Sequence, residues 1–310
     1  MKLIPLSSTE NIEHSTNLFV EDKFSQDVLN CLLGGVSVSV EPLGSNSILK
    51  SVAYSPSIAE NTFFLIDRDH YPYCSSVPTQ LETKDRLITW PKREMENYFL
   101  DANFLVQLPK YILNASKDMI EEKILEICQK RFFGDVAEYV MKSLRMEMRI
   151  VWDNLGSDIT KCLTREDALN ALFNLGNDSQ GLLKQYSKNH LNKTSLQEIL
   201  DRDLDAWKTI QTRTNQLTEQ PEIEHRFNYY QKLMAGGLTD RLVLGKGEWL
   251  NMTDGKKVLN ELVNNTGFFL NNVTVNDVAK QLLREPGVNL PDDFINLRNT
   301  IIQRTKQIIN

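Results

Sequence analysis

The chain has 310 residues, of which 41% are hydrophobic and 25% charged, with a formal net charge of −6 and a mean hydropathy of −0.35. This composition suits one large or two smaller globular domains and excludes a protein that is basic as a whole. Any nucleic acid it handles must be met by local lysine and arginine patches or by bound metal.

No apolar run approaches the roughly 18 residues of a membrane-spanning helix. The N-terminal stretch MKLIPLSSTENIEHS has one lysine and a short apolar segment, unlike a signal peptide. Four scattered cysteines (Cys31, Cys74, Cys128, Cys162) form no C-x-x-C pair. The expected location is cytoplasmic, with reduced thiols and no membrane.

The predicted elements begin with a short apolar run at Leu18–Val20. Phe24 to Leu33 carries apolar residues at helical spacing, and Gly34-Gly35 stops it. Val36 to Val40 alternates with period two, a strand signature. Ser45 to Tyr54 reads as a short helix, and Thr62 to Ile66 as a strand buried on both faces. Leu87 to Trp90 is a further strand, and a helical stretch starts at Arg93. The order β-α-β-α-β-β-α predicts an α/β sheet with crossover helices.

From about residue 111 the pattern is almost wholly helical. Ile120, Ile124 and Ile127 mark one apolar face, and Thr164–Asp167 and Thr274–Asp277 have the form of capping boxes. Long helices are expected over roughly 194–216 and 292–309. The expected division is an α/β domain over 1–110 and a mainly α-helical domain over 111–310, the seat of dimerisation and substrate choice. There is no G-x-x-x-x-G-K-[ST], so ATP binding by a P-loop is not expected of this chain.

Asp67 and Asp69 follow the buried run at 62–66, at the strand edge where open α/β sheets bind ligands. Two like charges a few Å apart are costly unless a proton or cation lies between them. Mg²⁺ or Mn²⁺, which take oxygen ligands, are the natural neutralisers. Glu21 stands in the same relation to Leu18–Val20. Glu94 and Glu96 lie two apart on a predicted helix, so one of them faces the site, and the apolar Tyr98-Phe99-Leu100 favours Glu96.

In order, the segments FVEDKF, FFLIDRDH and KREMENYFLD resemble a TOPRIM domain. More narrowly, they resemble the TOPRIM nucleases of the overcoming-lysogenization-defect (OLD) type. The resemblance covers about residues 16–101. It implies a Rossmann-like parallel sheet with flanking helices. It also implies Mg²⁺ or Mn²⁺ held by Glu21, Asp67 and Asp69 for phosphoryl transfer, with Glu21 a candidate general base and Glu96 a further ligand or orienting group. The chain departs from the family at Asp22, where a glycine is usual, and at Ser25, where OLD-type enzymes place a second acid; Asp22 or Asp27 is the candidate replacement. Downstream, LVLGKGEWLN resembles the family's late Gly-Lys element, which implies that Lys246 meets the scissile phosphate. A turn with a solvated lysine is the other reading. Arg68 and Arg93 flank the acids as phosphate binders or ion-pair partners, and His70 adjoins them.

Three functions follow. The first is a Mg²⁺-dependent TOPRIM effector of anti-phage defence, of the PARIS type (phage anti-restriction-induced system). Such an effector is held by a separate ABC-type ATPase subunit and, once released, cleaves host tRNA as a homodimer. The second is an OLD-type DNA endonuclease. The third is a non-catalytic regulatory subunit with a degenerate TOPRIM core.

Overall fold

The structure is a computed structural model that describes residues 16–148, 162–173, 216–217, 219–270 and 272–309. Strands β1 (Thr16–Val20), β2 (Val38–Pro42), β3 (Thr62–Ile66), β4 (Glu82–Lys84) and β5 (Leu87–Thr89) form one sheet in the order β2-β1-β3-β5-β4. β1 pairs in parallel with β2 and β3, and β3 in parallel with β5. β4 joins β5 antiparallel as an edge. The central strand β3, TFFLI, is buried at every position, as a continuous apolar run requires when helices cover both faces of a sheet.

Helices α1 (Lys23–Leu32) and α2 (Asn46–Ala53) connect β1 to β2 and β2 to β3. α1 buries Phe24, Val28, Leu29 and Leu32 on one face. The side chain of Asp22 caps its N-terminus by accepting from the Ser25 N–H at 2.9 Å. At the other end the Val36 N–H closes onto Leu33 O, and Gly35 takes a left-handed φ of 80°. That turn consumes the first residues of the alternating run, so β2 starts at Val38 rather than Val36. The predicted strands thus appear, with β4 added. Its ETK sequence is exposed throughout and carries no alternating pattern to announce it.

After β5 come a 3-10 helix (Met95–Leu100), α3 (Ala102–Leu105) and α4 (Lys117–Met148). Then follow α5 (165–173), α6 (Gln220–Ala235), α7 (Trp249–Met252), α8 (Gly255–Asn265), α9 (Val275–Arg284) and α10 (Asp292–Ile309). Ile120, Ile124 and Ile127 are buried on α4 as expected. The Thr274–Asp277 capping box forms in full. The helix expected at 194–216 lies almost wholly outside the described residues. No helix among the described residues is long and apolar enough to cross a membrane.

The packing divides the chain elsewhere than at residue 110. One unit takes in the chain up to Asp69, Ser76–Ile127 and the chain from Leu250 onward; the other takes in His70–Ser75 and Cys128–Trp249. The C-terminal helices belong with the sheet because their apolar faces are buried there. α9 packs on α1, and α8 packs on the 3-10 helix. Phe294 of α10 enters an aromatic cluster, with ring centroids 5.6 Å from Trp90, 4.8 Å from Tyr98 and 6.0 Å from Phe99. The Tyr98 hydroxyl donates to Asp293 at 2.6 Å. A helical period shows that a face is buried but not against which element.

The described residues of the second unit are mainly helical and include α6. Its Arg226, 2% exposed, pairs with Glu222 at 2.7 Å and Glu147 at 2.8 Å. The guanidinium also lies 4.3 Å from the Tyr73 ring centroid. The Tyr230 hydroxyl donates to Tyr71 O at 2.9 Å.

Removing the aromatic anchor of α10 leaves a cavity beneath the sheet unit. Phe294→Ala is expected to destabilise the protein by about 3–5 kcal/mol, measured by urea unfolding.

Candidate metal centre

β1 and β3 are parallel neighbours with Phe19 opposite Phe64. Their C-terminal ends therefore deliver Glu21 and Asp67, one residue beyond Val20 and Ile66, to the same sheet edge. Asp69 does not extend the strand. Its φ of 63° turns the chain left-handed, a conformation that aspartate tolerates better than most residues. Its N–H donates to Arg93 O at 2.9 Å. Asp69 therefore sits in a turn beyond β3, and both acids lie at the strand end as expected.

Burial first, and then mutual repulsion, raises the carboxyls of Glu21, Asp67 and Glu96. Burial, followed by the charges of Asp69 and Asp22, raises the Glu21 carboxyl to about 7. Asp67 is pushed well above the usual carboxylate range by burial, then by Glu96, Glu21, Glu94 and Asp69. Glu96 is 3% exposed. Burial and then Glu94 raise its carboxyl to about 8. Glu21, Asp67, Asp69 and Glu96 are therefore one electrostatic cluster of excess negative charge.

Glu94 also belongs to the cluster, but as a structural piece. It caps the 3-10 helix in a capping box with Asn97 and accepts the Lys256 N–H at 3.0 Å. Glu96 is the more deeply buried of the two.

The cation facing these acids is Lys256, in the first turn of α8, which the sequence reading passed over. Its Nζ lies 2.9 Å from Asp22 Oδ2 and 3.8 Å from Glu96 Oε1. A helix N-terminus repels cations. Lys256 and Lys257 in D-G-K-K sit there beside acids, and two lysines opening a helix were the signal that could have drawn notice. Asp254 holds Lys257 at 2.8 Å. Gly255 allows the close approach: a Cβ there would lie 2.6 Å from Asn97 Oδ1 and 2.8 Å from Asn97 N. Asn97 in turn donates to Leu250 O at 2.9 Å and Thr253 O at 3.0 Å.

Lys246 is on the second unit, exposed in a turn between Gly245 and Gly247, both at left-handed φ. His70 is also on the second unit, where its ring nitrogen meets Met146 Sδ. Arg68 donates to Trp90 O at 3.0 Å and pairs with Glu82 at 3.0 Å. Arg93 is buried and donates to Met252 O at 3.2 Å. Asp27 pairs with Lys23 at 3.0 Å and Lys280 at 2.8 Å. Asp22 is held below its usual range: burial opposes this, but the Ser25 N–H and the Lys256 ammonium outweigh it.

Fit to a divalent ion can be tested on the donors themselves. The set is all oxygen, as Mg²⁺ requires. Glu21 Oε2 is buried and accepts no hydrogen bond, an unsatisfied position that a bound ion or its water would fill. One oxygen of Asp67 accepts the Met95 N–H at 3.1 Å. Among the described residues no three acidic, imidazole or thiol side chains already converge as a finished cage. Glu21 and Asp67 thus share one sheet edge without forming a closed cage. No protein-family model matches the chain, and no curated protein matches it.

The raised carboxyls set a pH dependence. Glu21 and Glu96 bind protons more tightly folded than unfolded, so the stability they contribute is full below about pH 4.5 and declines as pH rises through about 7–8. In EDTA the melting temperature is expected to fall from pH 5.5 to pH 8 in differential scanning fluorimetry. Glu21→Gln should flatten that fall; an equally steep fall in the variant would contradict the assignment.

Proposed function

We propose that the protein is a Mg²⁺-dependent phosphodiesterase of the TOPRIM type. The observation that carries this reading is the delivery of Glu21, Asp67 and Asp69 from two adjacent parallel strands to one sheet edge, with Glu21 Oε2 buried and unsatisfied. Glu21, Asp67 and Asp69 would hold Mg²⁺ or Mn²⁺, with Glu96 orienting them. The ion supplies positive charge that lowers the pKa of a water and stabilises the attacking and leaving oxygens.

The chain's own groups do the rest. Glu21, at the β1 end of this edge, is the candidate to accept a proton from the attacking water. As the water's proton leaves, its oxygen bonds to phosphorus, the opposite P–O ester bond breaks, and the departing oxygen takes a proton from solvent. Lys256, whose ammonium lies 2.9 Å from Asp22 and 3.8 Å from Glu96, is the favoured group for charge developing on the phosphate. Lys246 retains only the motif resemblance in its favour.

The resemblance to PARIS-type effectors gives the substrate and context of the proposal. The substrate is tRNA, cleaved in the cytoplasm by a homodimer after release from an ABC-type ATPase subunit. The OLD-type reading substitutes DNA. The regulatory reading with a degenerate core removes cleavage altogether, and the intact acid set speaks against it.

The test incubates purified protein with total tRNA and with duplex DNA, in Mg²⁺ or EDTA. Cleavage of tRNA in Mg²⁺ alone, abolished by Glu21→Gln and by Asp67→Asn, is the expected result. Cleavage of DNA would move the substrate to the OLD type. If the protein cuts neither acid, including when co-expressed with a triggering partner, the enzymatic reading is lost. Lys256→Ala should reduce the rate by about 10²–10³-fold, a larger loss than Lys246→Ala.

A further inference from the structure

Asn46 opens α2 and is 6% exposed. Its Nδ2 donates twice, to the backbone carbonyl of Asp67 at 2.9 Å and to Asp69 Oδ2. Both partners are acceptors, so the amide has one orientation: the flipped form would set Oδ1 against two oxygens. Oδ1 is therefore fixed on the other side of the amide, where it is buried and accepts no hydrogen bond. A buried amide oxygen without a donor is uncommon and calls for one. Glu21 Oε2 has the same deficit. Two buried acceptors, Asn46 Oδ1 and Glu21 Oε2, thus lack donors.

The geometry points to Asn46 as the positioning residue of the metal centre: its Nδ2 clamps the Asp67–Asp69 turn in its left-handed form, and its Oδ1 receives a hydrogen bond from a water on the bound ion. The inference rests on the metal reading given above. Mg²⁺ keeps several of its waters when bound by few carboxylates, and these waters are the donors that the two acceptors lack. The clamp has its own physical reason. Asp69 at a φ of 63° is held on one side by its N–H to Arg93 O at 2.9 Å. On the other side the Asn46 amide donates to the carboxylate oxygen and orients it. Groups that orient a metal ligand in this way typically change affinity by about 10–100-fold when removed.

Mn²⁺ binding, measured by calorimetry on the purified full chain, tests this without relying on turnover. Asn46→Ala is expected to raise the Mn²⁺ dissociation constant by about 10-fold or more, while the melting temperature in EDTA shifts by a few degrees at most. Asn46→Ser keeps a small polar group at the helix start and serves if the alanine variant does not fold. It can donate only one hydrogen bond, so it too should bind Mn²⁺ more weakly. A purely structural role predicts the opposite split, a lowered melting temperature with Mn²⁺ affinity within twofold of the parent, and that result overturns the inference. If the parent protein binds no Mn²⁺, the metal reading itself fails and takes this inference with it. If the parent binds and both variants bind equally well, only the role of Asn46 is lost.

Discussion

The repulsion among carboxylates at the end of β3 is the constraint around which the sheet unit is arranged. A strand buried on both faces ends in Asp67, whose own environment opposes its ionisation. Glu21 arrives from the adjacent strand, and Glu96 from the 3-10 helix. Nothing in hydrophobic packing asks for such a cluster, and each buried carboxylate without a counter-charge weakens the fold. The surroundings supply partial relief. Lys256 faces Asp22 and Glu96, the Met95 N–H meets Asp67, and the Asn46 amide meets Asp69. What is left over is negative charge concentrated at one edge, the condition under which a divalent ion binds.

The C-terminal helices, held to the sheet by their buried apolar faces, also serve the acid cluster. α8 brings Lys256 to the acids, and it can do so because Gly255 lets its N-terminus lie against Asn97. α10 locks the arrangement from the other side, through Phe294 among Trp90, Tyr98 and Phe99. The residues that begin the chain's sheet and those that end the chain are thus one structure, joined also by the Thr16 and Thr305 hydroxyls at 2.9 Å.

Much of the sheet was legible in the sequence because its signals are local. TFFLI can hardly be other than a buried strand, and Phe24, Val28 and Leu32 mark one helical face. Glu21, Asp67 and Asp69 could be named because acids directly after such strands must lie at one sheet edge. The misses have a common cause in long-range packing. ETK forms a strand only because β5 is beside it. Asn46 looked like an ordinary helix start, and its amide gains meaning only when Asp67 and Asp69 are folded next to it. Lys256 is 160 residues from Glu96 in sequence, and the Gly-Lys pair at 245–246 was the more conspicuous motif. The division of the chain near residue 110 followed a change of periodicity, whereas the packing returns Leu250–Asn310 to the first unit. The departures at Asp22 and Ser25 also find a local explanation: together they form the N-cap of α1, and Asp22 is the ion-pair partner of Lys256.

The central claim, that these acids hold a divalent cation, is met most directly by crystals of the protein soaked in Mn²⁺ and measured at a wavelength where manganese scatters anomalously. The account predicts one anomalous peak or a close pair at the β1/β3 edge, with oxygens of Glu21, Asp67 and Asp69 at about 2.1 Å, the short oxygen-ligand distance typical of small hard divalent ions. Ordered protein at that edge with no anomalous density, and with Lys256 still paired to Asp22, would contradict it.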